Sequence, residues 1–190
     1  MAKGMRRNVG MAAVAAAGCV AVVVGSLSPA VAGGAEESGS PRAVTVEQIT
    51  LRLASDPGQV ANVRGNSSEN GADIIQWPLS RAANERWEPE STGGGYYRFR
   101  SLSSGKCVNV KGGGSADGTP VIQYTCGTAA NEQWRLVPKG RGYQLVARSS
   151  GKCLNVKGGV GQGNQLIQYR CTDAGAANDV WLLSWETRLA

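Results

Sequence analysis

The chain has 190 residues with no histidine, 20 basic against 14 acidic side chains for a formal net charge of +6, and 27 glycines. Without histidine, Ser-His-Asp and Cys-His nucleophilic sites and most metal centres are excluded. Abundant glycine favours many turns over long elements, and no convincing amphipathic helix follows residue 45.

Residues 1–32 read as a signal peptide. Lys3, Arg6 and Arg7 precede an uncharged apolar run over about residues 9–25, and Pro29 and the small-residue motif "AVA" at 30–32 follow. The run is shorter than a membrane span needs. Cys19 lies in "AAGC", without the aliphatic residue three positions earlier that a lipid anchor requires, so cleavage and secretion to the cell exterior are expected instead. Cleavage leaves 17 basic and 14 acidic residues, a net charge of +3 with no basic stripe, which argues against a nucleic-acid partner. Residues 33–45, "GGAEESGSPRAVT", are small and polar, as a linker is. Residues 46–190 remain as one domain, of a size that buries roughly two thirds of its unfolded surface.

That domain is written three times. "GQVANVRGN" at 58–66 returns as "GKCVNVKGG" at 105–113 and "GKCLNVKGG" at 151–159. Downstream stand "ADIIQW" (72–77), "TPVIQY" (119–124) and "NQLIQY" (164–169), then "NERW", "NEQW" and "NDVW" ending at Trp87, Trp134 and Trp181. Asn62, Trp77, Asn84 and Trp87 recur 47 positions on as Asn109, Tyr124, Asn131 and Trp134. Strand patterns open each copy: "ITLRLA" (49–54), the alternating "YRFRSL" (97–102), and "YQLVA" (143–147) after a turn "KGRG" (139–142). The copies run over about 46–93, 94–141 and 142–190. Four short strands per copy predict a closed all-β body with pseudo-threefold symmetry.

The repeat also chooses among the three pairings that four cysteines allow. Cys107 and Cys126 lie in the second copy, Cys153 and Cys171 in the third, and the first copy has Val60 and Leu79 at the matching places. Both cysteines disappear together, which is what loss of one bond within a repeat leaves. Disulfides Cys107–Cys126 and Cys153–Cys171 are therefore expected, in keeping with secretion. Zinc is not, since histidine and a CxxC knuckle are both missing.

With "CVNV…QYTC…NEQW" and "CLNV…QYRC…NDVW", and "ANV…QWPL…NERW" as an eroded copy, the chain resembles the ricin-B-type β-trefoil lectins (QxW repeat; carbohydrate-binding module family 13). The resemblance covers about residues 46–190. It implies a twelve-stranded β-trefoil with up to three shallow sugar sites, one per repeat. Two positions depart from the family in every copy: its usual aspartate in "CLDV" is Asn62, Asn109 and Asn155, and its usual glutamine in "NQxW" is Glu85, Glu132 and Asp179. The resemblance implies sugar contact by Asn62, Trp77, Asn84 and Glu85, by Asn109, Tyr124, Asn131 and Glu132, and by Asn155, Tyr169, Asn178 and Asp179. The repeated exchange reads as a hydrogen-bonded Asn–acid pair of reversed polarity; the alternative is that the pair only braces its loop.

Trp77, Tyr124 and Tyr169 fall where the family stacks a ring on a sugar's apolar face, the alternative being core packing. Trp87, Trp134 and Trp181 read as core anchors. Asp73, Asp117, Glu85 and Glu132 each have a place inside the repeat, and none signals a catalytic carboxylate pair. The expected protein is a secreted, non-catalytic, monomeric lectin without cofactor or metal, binding a polysaccharide or glycan of galactoside, xylan or another type. The rival is a protein-binding trefoil, such as a protease inhibitor, with decayed sugar sites. No loop distinguishes itself from its two siblings as an inhibitor's would.

Overall fold

The computed structural model describes residues 45–188, with side chains over 48–185. The expected signal peptide, Cys19 and the expected linker up to residue 44 lie outside the described residues. Twelve strands follow in three sets of four. The first set is β1 (Thr45–Leu53), β2 (Gln59–Val63), β3 (Ile74–Pro78) and β4 (Arg86–Gly93). The second is β5 (Tyr96–Ser101), β6 (Cys107–Val110), β7 (Val121–Tyr124) and β8 (Trp134–Lys139); the third is β9 (Gly142–Ala147), β10 (Cys153–Val156), β11 (Leu166–Tyr169) and β12 (Trp181–Arg188). The first strand begins at Thr45, the last residue of the expected linker.

The first and fourth strands of each set close a six-stranded antiparallel ring. β1 pairs β4, β4 pairs β5, β5 pairs β8, β8 pairs β9, β9 pairs β12, and β12 returns to β1. The second and third strands form hairpins β2–β3, β6–β7 and β10–β11. This is the closed threefold body that the repeat predicted and the β-trefoil that the resemblance implied.

Alternation puts Ile49, Leu51 and Leu53 of β1, Phe99 of β5 and Leu145 of β9 fully inside the barrel. Trp87, Trp134 and Trp181 are completely buried beside them. Each indole also donates a hydrogen bond into its own repeat's hairpin, to Ala61 O (3.3 Å), Val108 O (3.1 Å) and Leu154 O (3.1 Å) respectively. The expected turn over 139–142 is tighter than the sequence suggests. Lys139 and Gly142 already pair across β8 and β9, leaving Gly140 and Arg141 to turn the chain, with Gly140 at φ 54°.

Three glutamines stitch the hairpins together. Gln76, Gln123 and Gln168 are 0–1% exposed. The Gln76 amide donates to Asn164 O (2.8 Å), that of Gln123 to Ala72 O (2.9 Å) and that of Gln168 to Thr119 O (2.9 Å), each in a neighbouring repeat. Their side chains bind the same neighbours: Gln123 Nε2 donates to Ser67 O and Glu69 O, Gln168 Nε2 to Gly114 O and Ala116 O, and Gln76 Oε1 accepts from Gly161 N.

Both disulfides form as the repeat required, Cys107–Cys126 (Cα–Cα 5.1 Å) and Cys153–Cys171 (5.0 Å). The first repeat compensates with backbone. Its hairpin carries one more pair, Gln59 with Pro78, and Leu79 N donates to Gly58 O at 2.8 Å.

Candidate functional site

Each hairpin carries one buried asparagine near its middle: Asn62, Asn109 and Asn155 pair with Ile75, Ile122 and Ile167. The second asparagine of each set, Asn84, Asn131 or Asn178, comes from the turn that leads into the buried tryptophan. Its Nδ2 donates twice, at 2.9 Å each time. One acceptor is the backbone oxygen of Val63, Val110 or Val156; the other is Oδ1 of Asn62, Asn109 or Asn155.

This double donation fixes the orientation of both amides. A backbone carbonyl only accepts, so the group facing it is the NH2 of Asn131. The same NH2 then meets Asn109 through an oxygen, and Asn109 must turn its own Nδ2 away. Among the described residues Nδ2 of Asn109 and of Asn155 has no protein acceptor, while Nδ2 of Asn62 has only Glu85 Oε2 at 3.5 Å, the outer limit of a hydrogen bond. Oδ1 of Asn84, Asn131 and Asn178 receives no donor from the described residues. Every repeat thus presents an amide donor and an amide acceptor side by side.

The acids are turned into their loops. Glu85, Glu132 and Asp179 are 0–2% exposed and hold the loop after the hairpin. Glu85 accepts from Ser80 N (3.0 Å), Ser80 Oγ (3.0 Å) and Arg81 N. Glu132 accepts from Gly127 N at 2.7 Å and lies 3.6 Å from Arg98 Nη1. Asp179 accepts from Ala176 N (2.6 Å), Thr172 Oγ1 (3.0 Å) and Gln144 Nε2 (3.0 Å). Among the described residues the expected Asn–acid bond forms only in the first repeat, from Asn62 Nδ2 to Glu85 Oε2 at 3.5 Å, while the Asn–Asn bond forms in all three. Loop N–H groups that would otherwise be orphaned claim the carboxylates instead, so the acids act as braces, the alternative left open by the sequence.

The rings stand outside the core. Trp77, Tyr124 and Tyr169 are 39%, 48% and 37% exposed. Trp77, Asn62, Asn84, Arg64 and Ile75 line one hollow of about 410 Å³; Tyr124, Asn109, Asn131, Lys111 and Ile122 line another of about 550 Å³. A neighbouring repeat comes close to each hollow. Gly71 reaches the second hollow, and Gly163 stands against the Trp77 ring. In the third repeat the Arg170 guanidinium lies 5.3 Å from the Tyr169 ring centre and is tied to Asp117 of the second repeat at 3.1 Å.

Sequence reasoning passed over the residue two places after each site asparagine: Arg64, Lys111 and Lys157, all exposed. The signal was a cation kept in all three copies. Gly112, at φ 61°, bends the chain directly after Lys111, a conformation that costs glycine little.

Comparison with known families decides the relationship. The family described as "ricin-type beta-trefoil lectin domain-like" matches three overlapping stretches, residues 44–124, 94–169 and 130–188. The chain belongs to this family. As a ricin-type trefoil it is similar to ThreeFoil, a designed threefold-symmetric protein, at 35% identity over 72% of this chain and 97% of that one (TM-score 0.68). It is also similar to an exo-β-1,3-galactanase from Clostridium thermocellum, at 30% identity over 75% of this chain but only 31% of the galactanase (TM-score 0.68). The Rhizoctonia solani agglutinin shares the fold at 19% identity, over 77% of this chain and all of the agglutinin (TM-score 0.65). No curated protein matches the chain. The family makes this lectin-type trefoil a carbohydrate-binding domain. The two disulfides are those of an extracellular protein, and no helix among the described residues is long and apolar enough to cross a membrane.

Proposed function

We propose that the chain is a secreted, non-catalytic lectin whose three sites act together on a polysaccharide or a glycan-covered surface. The observation that carries this reading is the threefold recurrence of a donor–acceptor amide pair beside an exposed ring. A sugar hydroxyl both gives and accepts a hydrogen bond. One hydroxyl, or two vicinal ones, accepts from Asn109 Nδ2 and donates to Asn131 Oδ1, while the pyranose C–H face lies on Tyr124. Asn62, Asn84 and Trp77 do the same in the first repeat, and Asn155, Asn178 and Tyr169 in the third. Glu85, Glu132 and Asp179 support the sites by holding the adjoining loops. Cleavage after residue 32 and a linker to residue 45 would release this domain as a monomer.

Rings of this kind are shallow, so each site is weak and the retained ligand is a repeating one. The similar galactanase makes β-1,3-galactan one polymer to offer, beside xylan. The experiment is a pull-down on several insoluble polysaccharides with the parent and with Trp77→Ala, Tyr124→Ala and Tyr169→Ala, singly and combined. Stepwise loss is expected, ending with no retention in the triple variant. Undiminished binding by the triple variant would refute the sugar sites and favour a protein-binding trefoil.

A further inference from the structure

We infer that the second and third sites select acidic saccharides, pyranoses bearing a carboxylate, whereas the first site is neutral in preference. This rests on the lectin reading above and names its ligand class. The basis is what each repeat does with its cation.

In the first repeat the charge is answered within the protein. Arg64 Nε lies 3.4 Å from Asp73 Oδ2, and its Nη2 donates to Gly163 O at 3.2 Å. The positions matching Asp73 are Pro120 in the second repeat and Gln165 in the third, neither of which carries a charge. Lys111 and Lys157 have no ion-pair partner among the described residues. Lys111 lines the same hollow as Tyr124, Asn109 and Asn131. The one carboxylate bordering that hollow, Glu132, is 2% exposed and already engaged by Gly127 N and Arg98.

The asparagines complete the argument. An aspartate at position 109 or 155 would place a negative charge in the hollow and repel an acidic ligand. The asparagine amide removes that charge, and the double donation by Asn131 or Asn178 turns its N–H away from the second asparagine and leaves it without a protein acceptor among the described residues. An uncharged asparagine amide, an unpaired ammonium and an exposed ring together suit a uronate residue. Its ring stacks, its hydroxyls meet the Asn pair, and its carboxylate takes the lysine and the spare N–H.

The test compares polygalacturonate with its carboxyl-reduced form, in which a neutral CH2OH replaces each carboxylate, by affinity electrophoresis or immobilised-polymer binding at low and moderate salt. The parent is expected to prefer the acidic polymer and to lose that preference as salt rises. Lys111→Gln and Lys157→Gln should each weaken acidic-polymer binding about threefold, and the double variant about tenfold, as exposed ion pairs do. Their binding to the reduced polymer should fall by less than their binding to the acidic one. Asp73→Asn should strengthen acidic-polymer binding by freeing Arg64. If the lysine variants bind both polymers as the parent does, the acidic preference is wrong while ring-dependent binding keeps the lectin reading intact. If the parent binds neither polymer nor any neutral one, both fall together.

Discussion

Trp134 Nε1 donates to Val108 O at 3.1 Å, and Val108 is the strand neighbour of Asn109. The deepest ring of the repeat thus holds the strand that bears the site amide, and Trp87 and Trp181 do the same through Ala61 and Leu154. The core and the binding surface of each repeat meet at one peptide.

Truncating that ring should therefore unfold the domain, whereas truncating the exposed ring should not. Trp134→Ala is expected to cost about 3–5 kcal/mol and Tyr124→Ala to leave the melting temperature nearly unchanged. Trp134→Phe, which keeps most of the bulk and loses the hydrogen bond, should cost about 1 kcal/mol. Chemical denaturation of the three variants measures all of this.

The glutamine stitches make a second prediction. Gln123→Leu would leave the oxygens of Ser67 and Glu69 without their donor and is expected to destabilise by about 1–3 kcal/mol. Gln76→Leu and Gln168→Leu should behave alike. Urea midpoints for the three variants give the comparison, and a negligible effect would mean that water replaces the side chains.

For the disulfides, peptide mapping without reduction should recover Cys107–Cys126 and Cys153–Cys171, with no link between repeats. Removing either bond as a Cys→Ser pair should cost about 2–4 kcal/mol. Cys107→Val with Cys126→Leu, which copies the first repeat, should lose less than the serine pair. Thermal melts of the two double variants decide it.

Acid should loosen the hairpin between β4 and β5. The Arg100 guanidinium holds the Glu90 carboxyl below its ordinary 4.5; burial opposes it, and Arg98 adds to the lowering. A carboxyl with a depressed folded pKa adds stability above its unfolded pKa and loses it as pH falls through the folded one. Parent and Glu90→Gln should therefore differ in melting temperature at neutral pH and converge as the pH is taken well below 4.5. A difference that persists in acid would point to packing instead of charge.

Avidity supplies the last prediction. A single hollow with one ring and two amides should bind a monosaccharide near millimolar, about −4 kcal/mol. A polymer reaching two or three sites can gain about 10²–10⁴. Titration calorimetry with monosaccharide against retention on the insoluble polymer reads both numbers.

The threefold repeat made the trefoil legible, because Asn62, Trp77, Asn84 and Trp87 recur in register and the cysteines vanish in pairs. The exposed and buried rings separated correctly too, since Ile75, Ile122 and Ile167 already fill the space beside Trp77, Tyr124 and Tyr169. Gln76, Gln123 and Gln168 were passed over, although all three copies carry them. Strict alternation predicts that a residue next to a buried isoleucine faces solvent; here three hairpins meet and cover both faces. The role of the acids was legible only as two alternatives. Spacing brings Glu132 near Asn109, but only the loop's own N–H groups determine which way the carboxylate turns.

The ring of six strands has a seam where β1 meets β12, with Thr45 opposite Arg188 and Leu53 opposite Trp181. The first strand made during synthesis therefore waits for the last. Until the final strand leaves the ribosome, the apolar face of β1 has no partner on that side, and a chain lacking β12 is an open sheet with a free edge. Closure by such distant residues slows folding.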